Sequence, residues 1–203
     1  VKIVLSITLV LFLPLFVFAG PTEFSVTEIE TLENFDDYVR EVRFSPFGTY
    51  FAVTVGDNTV YLFDRAFNRL WMSQGNRKNV GGKLAFSPDE KYLAFTRYKS
   101  QGDIGILDLE TLQVVQALDG HPYYVSGISY SPDGGCLVSC GVEKQVIVWK
   151  WENNKFEKHQ VITEHEKPIR DITFSPDPSI MASAGDDSNI IIWKMKDGSF
   201  RKH

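Results

Sequence analysis

The sequence predicts an all-β fold built from four similar four-stranded units, and three observations in its 203 residues lead there. The first is a repeated turn. Ser45-Pro46, Ser87-Pro88, Ser131-Pro132 and Ser175-Pro176 each follow an aromatic residue (Phe44, Phe86, Tyr130 and Phe174), at spacings of 42, 44 and 44 residues. Proline presets φ and removes a backbone donor, so it suits the point where a strand stops pairing. A fixed period in the forties holding four short strands marks the blade of a β-propeller. The second observation is the run Val146-Ile147-Val148-Trp149, which has no polar face and fits a strand in a sheet packed between two others. The third is composition: 15 Phe and 8 Tyr suit strands, and few segments read as amphipathic helix.

The repeating unit is clearest from Gly120 to Lys150. A loop opens with Gly120-His121, and a strand from Ser126 to Tyr130 stops at Ser131-Pro132-Asp133-Gly134. A second strand, Cys136 to Cys140, turns tightly into a third, Gln145 to Trp149. This unit resembles a WD40 repeat. The resemblance implies a WD40-like β-propeller with four recognisable blades, at about 35–78, 79–118, 119–162 and 163–203. It also makes Phe24 to Leu32, within a lead-in at 20–34, the outer strand of the closing blade. Blade one then takes strands at Val39 to Phe44, Tyr50 to Val55, Thr59 to Phe63 and Arg69 to Ser73, with Gly56-Asp57-Asn58 as a tight turn. Blade two, LAFSPDEKYLAFTRYKSQGDIGILDLET, also resembles the repeat of TolB-type periplasmic propellers. Blade three adds Lys155 to Val161, and Trp151 falls beyond the end of its third strand. Blade four runs through Ile190 to Trp193 and turns at Asp197-Gly198 into Ser199 to Arg201. A four-bladed ring closed by the amino-terminal strand would leave that last strand competing for the same edge. WD40 propellers most often have seven blades, so the four form part of a larger propeller, pair with a second chain through self-association, or close on themselves.

At the amino terminus, Lys2 precedes an apolar run from Ile3 to Ala19, broken at Pro14 and ending Val17-Phe18-Ala19-Gly20. A positive start, an apolar middle and small residues near a break match a secretory signal peptide at 1–19, cleaved after Ala19. Left uncleaved, the run sits at the lower length limit of a membrane anchor. The expected location is exported, either periplasmic or secreted. Cys136 and Cys140 lie four residues apart on one strand, so their Cα atoms are roughly 13 Å apart. A disulfide needs less than about 7 Å, so the two do not pair and both read as buried apolar thiols.

Chemistry-bearing motifs are few. The sequence contains no G-x-S-x-G, H-E-x-x-H, P-loop or dinucleotide fingerprint. The His residues are dispersed and the Cys spacing is not that of a metal site. Net charge of −5 and scattered Lys and Arg argue against nucleic acid. No cofactor, metal or catalytic residue is expected. The WD40 resemblance instead implies buried relays of His, Ser/Thr, Asp and Trp that tie a loop to its blade. Blade three offers His121 and Trp149, with Cys140 at the hydroxyl position and Glu143 at the Asp position. Blade four offers His165, Asp187 and Trp193, with Ala184 at the hydroxyl position. Blade one offers Thr54 and Asp57, with Phe63 at the Trp position and Phe35 at the His position. Every relay is therefore expected to be incomplete. A His, Asp and hydroxyl recurring from blade to blade serve packing rather than catalysis.

What remains is surface. The position seven residues before each turn serine, which faces partners in WD40 propellers, holds Tyr38, Val80, Tyr124 and Pro168; Tyr123 adjoins Tyr124. Tyrosine gives large contact area at low entropic cost. The resemblance implies a non-catalytic platform for protein partners. A propeller module of an exported hydrolase and a TolB-like envelope component are the alternatives.

Overall fold

The computed structural model describes residues 30–33, 35–73, 82–97 and 104–203. The signal-peptide run, Val80 and most of the lead-in strand lie outside those residues; Glu30 to Glu33, at its expected end, carry no regular structure. All the strands described lie in the compact unit Asp36–His203.

Among the described residues sixteen strands make four antiparallel sheets, each a four-stranded meander in chain order. Blade one contains β1 (Val39–Phe44), β2 (Tyr50–Val55), β3 (Val60–Asp64) and β4 (Arg69–Met72). Blade two contains β5 (Leu84–Phe86), β6 (Tyr92–Thr96), β7 (Ile104–Asp108) and β8 (Gln113–Leu118). Blade three contains β9 (Val125–Tyr130), β10 (Cys136–Gly141), β11 (Val146–Glu152) and β12 (Lys155–Ile162). Blade four contains β13 (Ile169–Phe174), β14 (Ile180–Gly185), β15 (Ile190–Lys196) and β16 (Ser199–Lys202).

The repeated turns work as their residues require. The Ser45, Ser87 and Ser131 hydroxyls accept the N–H groups of Tyr50, Tyr92 and Cys136, each at 2.9 Å, joining the two ends of each turn. Blade four departs: there the Ser175 hydroxyl accepts the Asp177 N–H at 3.0 Å, and no left-handed residue follows. The turns between second and third strands share another device. Asn58, Lys144 and Ser188 each take positive φ, at 66°, 72° and 64°, at the same place in blades one, three and four.

Each blade shows different faces to its two neighbours. Trp149, Leu137, Ile147 and Tyr130 of blade three pack against Ile104, Ile106 and Leu118 of blade two. The opposite face of blade three, Val138, Cys140, Val146 and Val148, packs against Ile172, Met181, Ile191 and Trp193 of blade four. Ala52, Val60 and Leu62 of blade one meet Leu84, Leu93, Phe95 and Leu107 of blade two in the same sense. Among the described residues no core cluster joins blade four to blade one. Ile190 and Ile192, which correspond to the fully buried Val146 and Val148, are 74% and 42% exposed.

The outer strands are also tied to one another. The Gln116 side chain on β8 donates to the Phe156 carbonyl at 2.7 Å and accepts the Phe156 N–H at 2.9 Å, on β12. Gln160 on β12 repeats both bonds with Phe200 on β16, at 2.8 Å each. An extended strand offers an N–H and C=O on the same side, which is the shape a primary amide fits.

Trp151 departs from expectation. It lies within β11, not past its end, and is half-buried with its ring 5.3 Å from Tyr92 and 4.8 Å from Phe156. Cys136 and Cys140 are free thiols, but only Cys140 is buried; Cys136, at the start of β10, is part-exposed. Burial pushes the Cys140 thiol up to about 12 against the smaller effect of a Ser126 hydrogen bond.

Candidate functional site

Two relays lie beneath the loops that enter blades three and four. The hydroxyl expected at Cys140 and Ala184 is in fact one residue earlier, at Ser139 and Ser183, so both relays carry all four members. The Trp193 Nε1–H donates to Ser183 Oγ at 2.9 Å, and Ser183 Oγ meets His165 Nε2 at 2.8 Å. His165 Nδ1 meets Asp187 Oδ2 at 2.8 Å. Because Trp can only donate and the carboxylate only accept, the network assigns the directions: Trp to Ser, Ser to His, His Nδ1–H to Asp. Blade three repeats the order. Trp149 donates to Ser139 at 2.8 Å, Ser139 meets His121 Nε2 at 2.7 Å, and His121 Nδ1 meets Glu143 Oε1.

Strand parity explains the one-residue correction. Directly opposed residues of an antiparallel pair share a face, and alternate residues return to it. Leu137 faces Trp149 and Ser139 faces Ile147, so Ser139 lies on the Trp face. Cys140 pairs with Val146 and points to the other side. In blade four Ser183 pairs with Ile191 and Ala184 with Ile190 in the same register.

Gly185 is required where His165 lies against the chain. A Cβ there would come 2.8 Å from His165 Nδ1 and 3.0 Å from Asp187 Oδ1. Burial opposes ionisation of Asp187. The hydrogen bond from His165 and the N–H groups of Asn189 and Glu166 outweigh it, lowering the carboxyl to about 2. The Ser139 and Ser183 hydroxyls belong to buried residues and are held between a Trp donor and a His acceptor. This arrangement does what buried polar groups need, pairing each with a partner.

Blade one has no such relay among its described residues. Thr54 Oγ1 donates across to the Gly82 carbonyl at 2.8 Å, tying blade one to the start of blade two. Asp57 caps its own turn by accepting the Thr59 N–H at 2.8 Å, and Phe63 stacks on Phe51 at 4.8 Å. No group of three or more His, Cys, Asp or Glu comes together as a metal cluster among the described residues.

The tyrosines lie at one end of the sheets, on the loops that lead into β1 and β9. Tyr38 and Tyr123 are 56% and 63% exposed, and Tyr124 is 36% exposed. Tyr38 Oη accepts from Arg40 at 2.7 Å, and the guanidinium lies 5.3 Å from the ring centre. Tyr124 lies near Arg170 on β13, whose Nε donates to Asp186 at 2.7 Å. Arg40 and Arg170 occupy the same place in blades one and four, two residues past the Tyr38 and Pro168 positions. The sequence signal for this Tyr–Arg pairing is therefore a repeat position rather than a motif.

A family model described as "WD domain, G-beta repeat" matches residues 26–64, 112–150 and 156–194. An uncharacterized WD repeat-containing protein of Synechocystis is 30% identical over 123 residues, 60% of this chain and 34% of that protein. Protein groucho of Drosophila melanogaster is 28% identical over 137 residues, covering 66% of this chain and 18% of that protein. The chain thus spans about a third or less of these curated relatives. Among solved structures, that of the RRP9 WD40 repeats superposes with a TM-score of 0.70 at 19% identity, covering 84% of this chain and 52% of that one. A chain of a mitotic checkpoint complex superposes with a TM-score of 0.69 at 22% identity, covering 83% and 53%. Repeats, sheets and relays agree with the matched segments: the chain belongs to the WD40-repeat family.

Proposed function

We propose that this chain is a non-catalytic platform for protein partners, bound through the loops that enter the blades. The observation that carries the proposal is the contrast between the two layers at that end. Buried relays hold the loops to blades three and four, while Tyr38, Tyr123 and Tyr124 stand in solvent above the sheets. Loops on a rigid frame carry recognition, and tyrosine is enriched among the residues that dominate binding energy. Scaffolding is also the common role of WD40-repeat proteins.

The test is a pull-down and affinity measurement with wild type and the Tyr38→Ala/Tyr124→Ala double variant. Each substitution weakens a partner by more than about 1 kcal/mol while melting stays nearly unchanged. Equal retention of the same partners by both proteins overturns the assignment of this surface.

We propose further that the protein acts after export. Lys2, the apolar run to Ala19, and Gly20 support that reading. Mass spectrometry of protein from its native cell then finds a mature terminus near Gly20; a cytosolic protein retaining Val1 to Ala19 refutes it.

A further inference from the structure

The relays of blades three and four have the same members in the same order, but their carboxylates are held differently. Asp187 accepts three hydrogen bonds: His165 Nδ1 and the Glu166 N–H at Oδ2, and the Asn189 N–H at Oδ1, the last two at 3.0 and 3.1 Å. Asp57 in blade one keeps the turn bond of this set, from Thr59. Glu143 in blade three is bonded to His121 alone, and its Oε2 is buried without a partner among the described residues.

Two substitutions account for the loss. The residue after the relay histidine is Glu166 in blade four and Pro122 in blade three, and proline has no N–H to give. The carboxylate residue is Asp187 in one and Glu143 in the other. A carboxylate one bond from Cβ can accept the N–H two residues on, as Asp187 and Asp57 do; an extra methylene carries it away from that turn. In blade three the Gln145 N–H makes no such bond, and the Glu143 carboxylate lies against Gly141, where a Cβ would meet it. A buried acceptor without a donor costs free energy that a paired one does not.

We infer that blade three carries a loosened latch: the loop Gly120–Tyr123 opens more readily than its counterpart Glu164–Lys167, although blade three is packed on both faces and blade four on one. Opening moves Tyr123, the most exposed of the three tyrosines. The inference about the latch does not rest on the proposed function. Only its consequence does: the blade-three loop is then the adaptable part of the binding surface.

Amide hydrogen exchange on the wild-type protein reads the difference directly. Two absent hydrogen bonds correspond to about tenfold or more faster exchange in 120–123 than in 164–167. Pro122→Glu with Glu143→Asp copies the blade-four latch into blade three. That variant slows exchange of 120–123 by about fivefold or more, leaves 164–167 unchanged, and raises Tm by about 2–4 °C. Glu143→Asp alone, which regains the Gln145 bond but not the other, falls between. Equal exchange of the two loops in the wild-type protein overturns the inference, whether or not the variants fold. So does a folded double variant whose 120–123 loop exchanges as before.

Discussion

Asp187 connects a buried network to the pH of the solution. With its carboxyl lowered from 3.8 to about 2, the folded state holds the ionised form more strongly than the unfolded state does. The sign follows from linkage: the contribution is complete above about pH 4 and is lost as pH falls through about 2. Acid unfolding of the wild-type protein should therefore steepen across that window, and Asp187→Asn should flatten the curve there while lowering stability at neutral pH. Urea midpoints at a series of pH values would show it; parallel curves would remove Asp187 from the acid response. At this scale the WD40 resemblance pointed to the His, Trp and acidic members of both relays. It misplaced the hydroxyl, because Ser139 and Cys140 are adjacent and only the strand register decides which one faces Trp149. Counting back from the Trp across the turn, with alternation in mind, would have chosen Ser139.

At the scale of the element, the turns between second and third strands hold residues in a conformation that disfavours a side chain. Lys144 sits at φ 72° directly after Glu143, with its N–H donating to the Gly141 carbonyl at 3.2 Å. A lysine Cβ is crowded there and a glycine is not. Lys144→Gly is expected to raise stability by about 0.5–1 kcal/mol, seen as a higher denaturant midpoint at unchanged slope. The strands placed from the sequence in blades one, three and four fell within a residue or so, the third strands of blades three and four apart, since apolar runs bounded by Ser-Pro and Asp-Gly turns have one reading; the first two strands of blade four were not placed. The third strands ran longer than expected: β11 continues through Trp151 to Glu152 and β15 to Lys196. Polar residues at those ends disguise pairing that the neighbouring strand supplies. The Gln116 and Gln160 bridges were not readable, because a lone Gln on an outer strand signals nothing until the next strand lies beside it.

At the scale of the whole molecule, blades stack with a direction. Each turns its Trp-bearing or equivalent face to the blade before it and its smaller aliphatic face to the blade after it. The last such face is uncovered, and two adjacent isoleucines test it. Ile190 is 74% exposed and Ile191 is 4% exposed. Replacing Ile190 by Lys should shift stability by no more than about 0.5 kcal/mol, whereas Ile191→Lys buries a charge among Trp193 and Met181 and should prevent folding. Circular dichroism and a denaturant titration separate the two; equal damage would mean that something covers Ile190. The period of the turns made the blade architecture legible early, since four copies of one signal leave little freedom. The closure of the ring was not legible, because it depends on which surfaces meet rather than on what any blade contains.

The paired amide bonds at Phe156 and Phe200 also give the molecule a mechanical character. A chain pulled from His203 must break the Gln160 bridge before blade four can be stripped from its neighbour. It then meets the same knot at Gln116, 44 residues earlier in the chain. Extension under force should come in two like steps, each releasing about 150 Å of contour, so that the period written in the serines and prolines returns as a length in a force trace.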